Sequence, residues 1–302
     1  MKIAIIGDSG FVGRNLSEAF RDSGDEIVGM SKEGDSRPFE VDYKRYKIDN
    51  ADMEAVCKAL DIEDPEWIIN LAAVTNPSRS YDYPYDFLKA NMIGTFNVLE
   101  WIRHHKDTKM LHFSTDEVLN GSGGPKKELD RLNPANPYAA SKAAAEEYII
   151  AYNISYDLDI RIFRPFNIFG KYQRDIRVMS KIIINALNDT PFKLYKDPMN
   201  QKKGWIYVGN IYYAVKAIIE KGLPREIYNM KADANLSIDE LKDKILSGLN
   251  KEHLFEGYMD TIRQKDKATC ELDSSKIERI YVPKYDFGYG LEETIEWFRK
   301  IL

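Results

Sequence analysis

The chain has 302 residues, 30% of them charged, with a formal net charge of −5. That length carries one large α/β domain or a nucleotide-binding domain with a smaller companion, and the mixing of acids with bases leaves no basic stripe for nucleic acid. The apolar stretches are too short for a membrane span, no signal-peptide pattern follows Met1, and Cys57 and Cys270 stand far apart without a ligand set; a cytoplasmic protein with neither disulfide framework nor metal site is expected.

Lys2–Ile6 is a β-branched run that predicts the first strand. The turn Gly7-Asp8-Ser9-Gly10-Phe11-Val12-Gly13 follows it and opens an amphipathic helix over Phe11–Arg21, and Glu26–Met30 predicts the next strand. The alternation continues with a helix over Asp52–Leu60, a strand Trp67–Leu71, a long helix Tyr85–His104, a strand Met110–Ser114, a helix Pro137–Tyr156 and a strand Ile160–Arg164. Strands and helices alternating at this spacing predict an α/β fold, a doubly wound parallel sheet with helices on both faces, over residues 1–165. From 166 to 302 the rhythm loosens. Helices over Ile176–Leu187, Gly209–Lys221, Ile238–Leu249 and Leu291–Leu302, with strands Phe192–Leu194 and Ile227–Met230, predict a smaller C-terminal α+β substrate lobe whose elements interleave with the first unit. The Gly-, Pro- and Asn-rich stretch Gly121–Pro137 reads as a loop placed to cover a site.

A glycine turn between a strand and a helix suits a dinucleotide. Gly7, Gly10, Phe11, Val12 and Gly13 supply the tight turn, the close backbone approach to a pyrophosphate and the helix N-terminus. The second strand ends Gly29-Met30-Ser31-Lys32, without the acid that meets the ribose hydroxyls in NAD-selective folds. Ser31 and Lys32 are candidates for a 2′-phosphate, and a solvated lysine beside a turn fits equally, so NAD and NADP both stand. Asp49 and Asn50 are candidates for an adenine edge, Asn50 alternatively for a helix N-cap.

The chemistry concentrates in two segments. Tyr138 and Lys142 share one helix face, where a lysine ammonium beside a phenol would lower the phenol's pKa and make Tyr138 a base. Ser114-Thr115-Asp116-Glu117 ends a predicted parallel strand at the edge where open α/β sheets bind ligands. A hydroxyl, two carboxylates and a Tyr/Lys couple together suit oxidation of a carbinol followed by loss of water, with Thr115 orienting the hydroxyl and Asp116 and Glu117 divided between acid and base. Consecutive strand residues point to opposite faces, so both carboxylates reach one substrate only if the strand has ended by Asp116.

The glycine pattern, Asn70-Leu71-Ala72-Ala73, Asn91-x-x-Gly94-Thr95, Tyr138-x-x-x-Lys142 and Arg164-Pro165 resemble the extended short-chain dehydrogenase/reductase superfamily. Within it, Ser114-Thr115-Asp116-Glu117-Val118 looks like the signature of the nucleotide-sugar 4,6-dehydratases, and Asn167 to Gln173 and Trp205 to Val208 extend the similarity. The resemblance implies a Rossmann-type sheet, a tightly bound oxidised NAD or NADP contacted also by Leu71, Ala72, Ala73, Tyr138 and Lys142, a nucleotide-sugar substrate and a homodimer built on the helices Tyr85–His104 and Pro137–Tyr156. It implies substrate contacts from Thr75, Asn167, Lys203 and Arg263. The sequence departs from that pattern at Thr75 to Ser80, at Leu119-Asn120 and at Lys203-Gly204. A 4-ketosugar reductase or an epimerase of the same superfamily is the nearest alternative, and a non-catalytic dinucleotide sensor a more distant one.

Overall fold

The computed structural model describes residues 1–32, 41–121, 124–173, 176–196, 200–260 and 271–302. Strand β1 (Lys2–Ile6) leads through the glycine turn into α1 (Phe11–Asp22), followed by β2 (Glu26–Ser31), β3 (Lys44–Lys47), α2 (Met53–Glu63) and β4 (Trp67–Asn70). The short helices α3 (Pro77–Ser80) and α4 (Pro84–Phe87) run into a π-helical turn over Leu88–Ile93 and α5 (Gly94–His104). Then come β5 (Lys109–Phe113), a 3₁₀ turn over Asp116–Leu119, α6 (Pro137–Tyr156) and β6 (Ile160–Pro165). The remainder is β7 (Asn167–Phe169), α7 (Val178–Leu187), β8 (Phe192–Tyr195), β9 (Lys203–Tyr207), α8 (Val208–Lys221), β10 (Ile227–Met230), β11 (Ala234–Leu236), α9 (Ile238–Leu249), β12 (Phe255–Met259), α10 (Ser275–Glu278) and α11 (Phe287–Ile301).

Seven parallel strands form the main sheet in the order β10-β6-β5-β4-β1-β2-β3. Chain order reverses between β1 and β4, the switch point of a Rossmann-type doubly wound fold. The inner strands are apolar on both faces because helices cover both. Ile3 and Ile5 pack with Leu16 and Phe20 of α1 and with Ile211 and Val215 of α8, whereas Ala4 and Ile6 pack with Leu60 of α2, Val98 and Ile102 of α5 and Ile149 of α6. A separate core joins Phe169, Met179, Ile183, Trp205, Leu241 and Phe298 beneath the small sheets β11-β9-β7 and β12-β8.

Ile227–Met230 pairs parallel with β6 and closes one edge of the main sheet, so the chain returns to the first unit after building part of the second. One element differs from its sequence reading. The helix expected over Tyr85–His104 is divided by the π turn, which widens the helix where Asn91 turns inward, fully buried. Among the described residues, no helix is long and apolar enough to cross a membrane, and no group of three or more His, Cys, Asp or Glu residues could hold a metal ion.

Candidate active site

The glycine turn forms a tight cradle. Gly7 adopts φ +99°, where a Cβ would stand 2.8 Å from Ala72 N, and a Cβ on Gly13 would stand 2.1 Å from Gly7 O. Gly10 N donates to Gly7 O at 3.0 Å, and α1 begins at Phe11 without a side-chain cap on Gly10. The first-turn amides, those of Phe11 and Val12 among them, therefore keep their capacity to donate to an anion, and these residues fit the pyrophosphate of a dinucleotide.

Leu71, Ala72 and Ala73 follow β4 directly beside this loop, with Leu71 N donating to Ile6 O at 2.9 Å. Asn91 pins the next residue: its Oδ1 accepts Val74 N at 2.7 Å, and its Nδ2 donates to Val74 O at 3.1 Å and to Ser141 Oγ at 2.9 Å. One buried amide thus ties the cofactor-side loop to the helix that carries Tyr138.

At the far end of β2, Ser31 Oγ donates to Asp8 Oδ1 at 2.7 Å and Lys32 Nζ pairs with Asp49 Oδ2 at 2.8 Å. Burial disfavours the charged form of Asp49, but Lys32 and the Ala51 amide outweigh it and hold the carboxyl below its ordinary range. Lys32 and Asp49 line an open cleft with Lys47 and Ile48. Asn50 is buried, its Nδ2 donating to Ala90 O at 2.8 Å, and Asp52 rather than Asn50 caps α2.

Strand β5 ends at Phe113, so the chain has left the strand before the two carboxylates. Thr115, extended at φ −157°, caps the 3₁₀ turn by accepting Glu117 N at 3.3 Å, and its hydroxyl donates to Asp116 Oδ1 at 3.1 Å. Asn136 Nδ2 donates to Glu117 Oε2 at 2.7 Å. The same Asn136 accepts Ala139 N at 2.9 Å and caps α6, with Pro137 in its first turn and Tyr138 next.

Tyr138 is buried against Phe87, with ring centroids 6.1 Å apart. Burial raises its phenol pKa, and the Glu117 charge and, less strongly, Asp116 push the same way; the Thr115 hydrogen bond and the Arg177 charge oppose them. This corrects the expectation that Lys142 sets the phenol's acidity. Lys142 Nζ instead lies 3.1 Å from His112 Nε2 on β5, and burial pushes the ammonium down to about 8 against the pull of Glu146. His112, fully buried beside that cation, is driven well below its ordinary pKa, first by burial and then by Lys142, which leaves its ring as an acceptor.

Of the expected substrate contacts, Thr75 is exposed and accepts Arg177 Nη2 at its carbonyl, 2.8 Å, and at its hydroxyl, 3.0 Å. Asn167, exposed on β7, donates to Gly204 O at 3.1 Å, and Lys203 begins the adjacent strand β9. Arg263 lies outside the described residues. Sequence reasoning passed over Asn136, His112, Arg177 and Asp8. Asn136 carried a signal, an Asn-Pro pair opening a helix, and so did His112, a lone polar residue in an otherwise apolar strand.

Residues 3–230 match the model of the NAD dependent epimerase/dehydratase family. Over 99% of its length the chain is 28% identical to a probable dTDP-glucose 4,6-dehydratase of Sinorhizobium fredii, covering 93% of that protein. The crystal structure of dTDP-glucose 4,6-dehydratase from Bacillus anthracis in complex with NAD superposes with a TM-score of 0.88 at 26% identity, covering 99% of this chain and 97% of that one. A UDP-glucose 4-epimerase of Thermus thermophilus in complex with NAD superposes at 0.91 with 24% identity over the full length of both, a likeness of fold alone. A glycine loop built for a dinucleotide, a Tyr/Lys helix beside it and a family match across most of the chain lead to one assignment: this protein belongs to the NAD dependent epimerase/dehydratase family and is an NAD-dependent enzyme.

Proposed function

We propose that the chain is a nucleoside-diphosphate-sugar 4,6-dehydratase, converting an NDP-hexose to an NDP-4-keto-6-deoxyhexose. The observation that carries this reading is the grouping around the head of α6: Thr115 Oγ1 donates to Asp116 Oδ1 at 3.1 Å, Asn136 at the helix cap donates to Glu117 Oε2 at 2.7 Å, and the charges of both carboxylates act on the Tyr138 phenol. A reduction or an epimerisation at C4 uses the phenol and the hydroxyl; elimination of water from C5 and C6 uses the two carboxylates as well. The dehydratase names of the relatives support the same choice.

The residues that would hold NAD are Gly7, Gly10, Phe11, Val12 and Gly13 in the loop, Ser31, Lys32 and Asp49 beyond it, Leu71 to Ala73 beside Gly7, and Tyr138 with Lys142. A bound oxidised nicotinamide would supply a positive charge and an acceptor for the C4 hydride and, once reduced by it, the donor that returns that hydride to C6. Tyr138, as the phenolate, takes the proton of the C4 hydroxyl, which Thr115 orients; the positive charge of a bound nicotinamide would favour that form against the burial that raises the phenol's pKa. Lys142, pushed to about 8, exchanges a proton near neutral pH. Once C4 is a ketone the C5 hydrogen is acidic and Glu117 removes it, while Asp116 protonates the departing C6 hydroxyl. Thr75, Asn167, Lys203 and Arg263 are proposed for the nucleotide sugar.

We place the enzyme in the cytoplasm as a homodimer. Tyr85 and Leu88 at the start of the α4–α5 run and Tyr148 on α6 are exposed large apolar residues, which supports a contact through these helices. Incubation with UDP-, dTDP-, GDP- and CDP-hexoses tests the activity: mass spectrometry should find the loss of one water from one of them, with no net change in absorbance at 340 nm. Stoichiometric consumption of reduced cofactor would make the chain a reductase instead.

A further inference from the structure

We propose that Asp8, inside the glycine turn, replaces the acid missing from the end of β2 and selects NAD over NADP through Ser31. The side chain is completely buried, and among the described residues its side-chain partners come from β2 and the β3 region: Ser31 Oγ at 2.7 Å on Oδ1, and Tyr43 OH at 3.1 Å and Arg45 Nε at 2.6 Å on Oδ2. The space it occupies exists because residue 29 is glycine; a Cβ there would stand 2.3 Å from Asp8 Oδ2. A carboxylate has thus been built into the adenosine end of the site from the loop side, at the strand end where a ribose-binding acid would otherwise stand.

Its effect follows from hydrogen-bond direction. Ser31 gives its only proton to Asp8, and Arg45 Nη2 occupies one of its lone pairs at 3.2 Å, so what Ser31 offers a nucleotide is the remaining lone pair. A ribose 2′-hydroxyl can donate to that lone pair, whereas a 2′-phosphate dianion has no proton to give. Among the described residues, the neighbouring cations are committed as well: Arg45 to Asp8, Lys32 to Asp49 at 2.8 Å, and Lys47 to a partner of its own. A 2′-phosphate would have to pull these cations from their carboxylates and sit near the Asp8 charge. Asp8 itself has no exposed atom and acts as a positioning residue.

Calorimetric titration of the full-length protein, freed of carried-over nucleotide, with NAD⁺ and NADP⁺ tests this whatever sugar the enzyme uses. The wild type should bind NAD⁺ at least about tenfold more tightly than NADP⁺. Asp8→Asn keeps an acceptor for Ser31 and removes the charge, so NADP⁺ affinity should rise about tenfold while NAD⁺ affinity changes less than about threefold. Ser31→Ala, at a part-exposed site, carries the test if Asp8→Asn does not fold: NAD⁺ should weaken about three- to tenfold with NADP⁺ unchanged. A wild type that binds NADP⁺ as tightly as NAD⁺, or variants that shift both cofactors by the same factor, would overturn the proposal.

Discussion

Asn136 joins Glu117 to the helix of Tyr138: its amide nitrogen donates to Glu117 Oε2 at 2.7 Å while its carbonyl oxygen caps α6 at Ala139 N, 2.9 Å. A single side chain fixes the distance between the proposed C5 base and the proposed C4 base. Asn136→Ala removes a helix cap, worth about 1 kcal/mol, and in a protein of this size a melting temperature lower by about 2–4 °C is expected. Turnover should fall by about tenfold or more because Glu117 loses its orientation. Asn136→Asp keeps the cap but opposes Glu117 with a second carboxylate, so it should melt closer to wild type and still lose activity. Thermal melts and steady-state rates on the two variants separate the capping role from the positioning one.

Tyr138→Phe removes only a hydroxyl from a buried ring that packs on Phe87, and the glycine loop is left intact. NAD should still bind with near wild-type affinity by calorimetry, whereas turnover should drop at least about a hundredfold, the lower range for loss of a general base. Retention of more than a tenth of the activity would remove Tyr138 from its role.

Lys142 makes stability depend on pH. Its folded-state value of about 8 lies below the ordinary lysine value of 10.5, so between these limits the unfolded chain holds more protons than the folded one. The cost of burying the ammonium is present in full below about pH 8 and is relieved as pH rises towards 10.5. Lys142→Met carries no such cost. The stability of wild type relative to Lys142→Met should therefore improve between pH 7.5 and 10.5, by roughly 2–4 kcal/mol if the whole shift is expressed. Denaturant titrations of both proteins at four or five pH values give this difference directly; a flat difference would mean that Lys142 titrates normally.

Much of the fold was legible because local signals agreed with long-range ones. Pro137–Tyr156 has the same bounds in sequence and structure, since an Asn-Pro start and an uninterrupted alanine-rich run leave little freedom. Ile227–Met230 was legible as a strand but not as a member of the main sheet, because its partner β6 lies some sixty residues away and nothing local names it. The π turn at Leu88–Ile93 is not legible in the sequence, because it is a change of hydrogen-bonding partner from i→i+4 to i→i+5 that no residue type announces. At the site, residue types were readable and their partners were not. Tyr138 and Lys142 do share a helix face, yet it is His112, thirty positions earlier, that the lysine meets. Asp8 has no local signal of its role, since a single sequence does not reveal that Gly29 opens a space for its carboxylate.

The two carboxylates give the most direct test of the dehydratase assignment, because only an elimination assigns Glu117 and Asp116 different tasks. The measurement is exchange of the C5 hydrogen of the nucleotide sugar with solvent deuterium, followed by mass spectrometry alongside loss of water. Glu117→Gln should still oxidise C4, seen as transient absorbance at 340 nm, but its C5 exchange should fall by at least about a hundredfold, since an amide cannot take that proton. Asp116→Asn should keep C5 exchange and lose water slowly. Wild-type rates of water loss in both variants, or a wild type that never exchanges C5, would contradict the assignment.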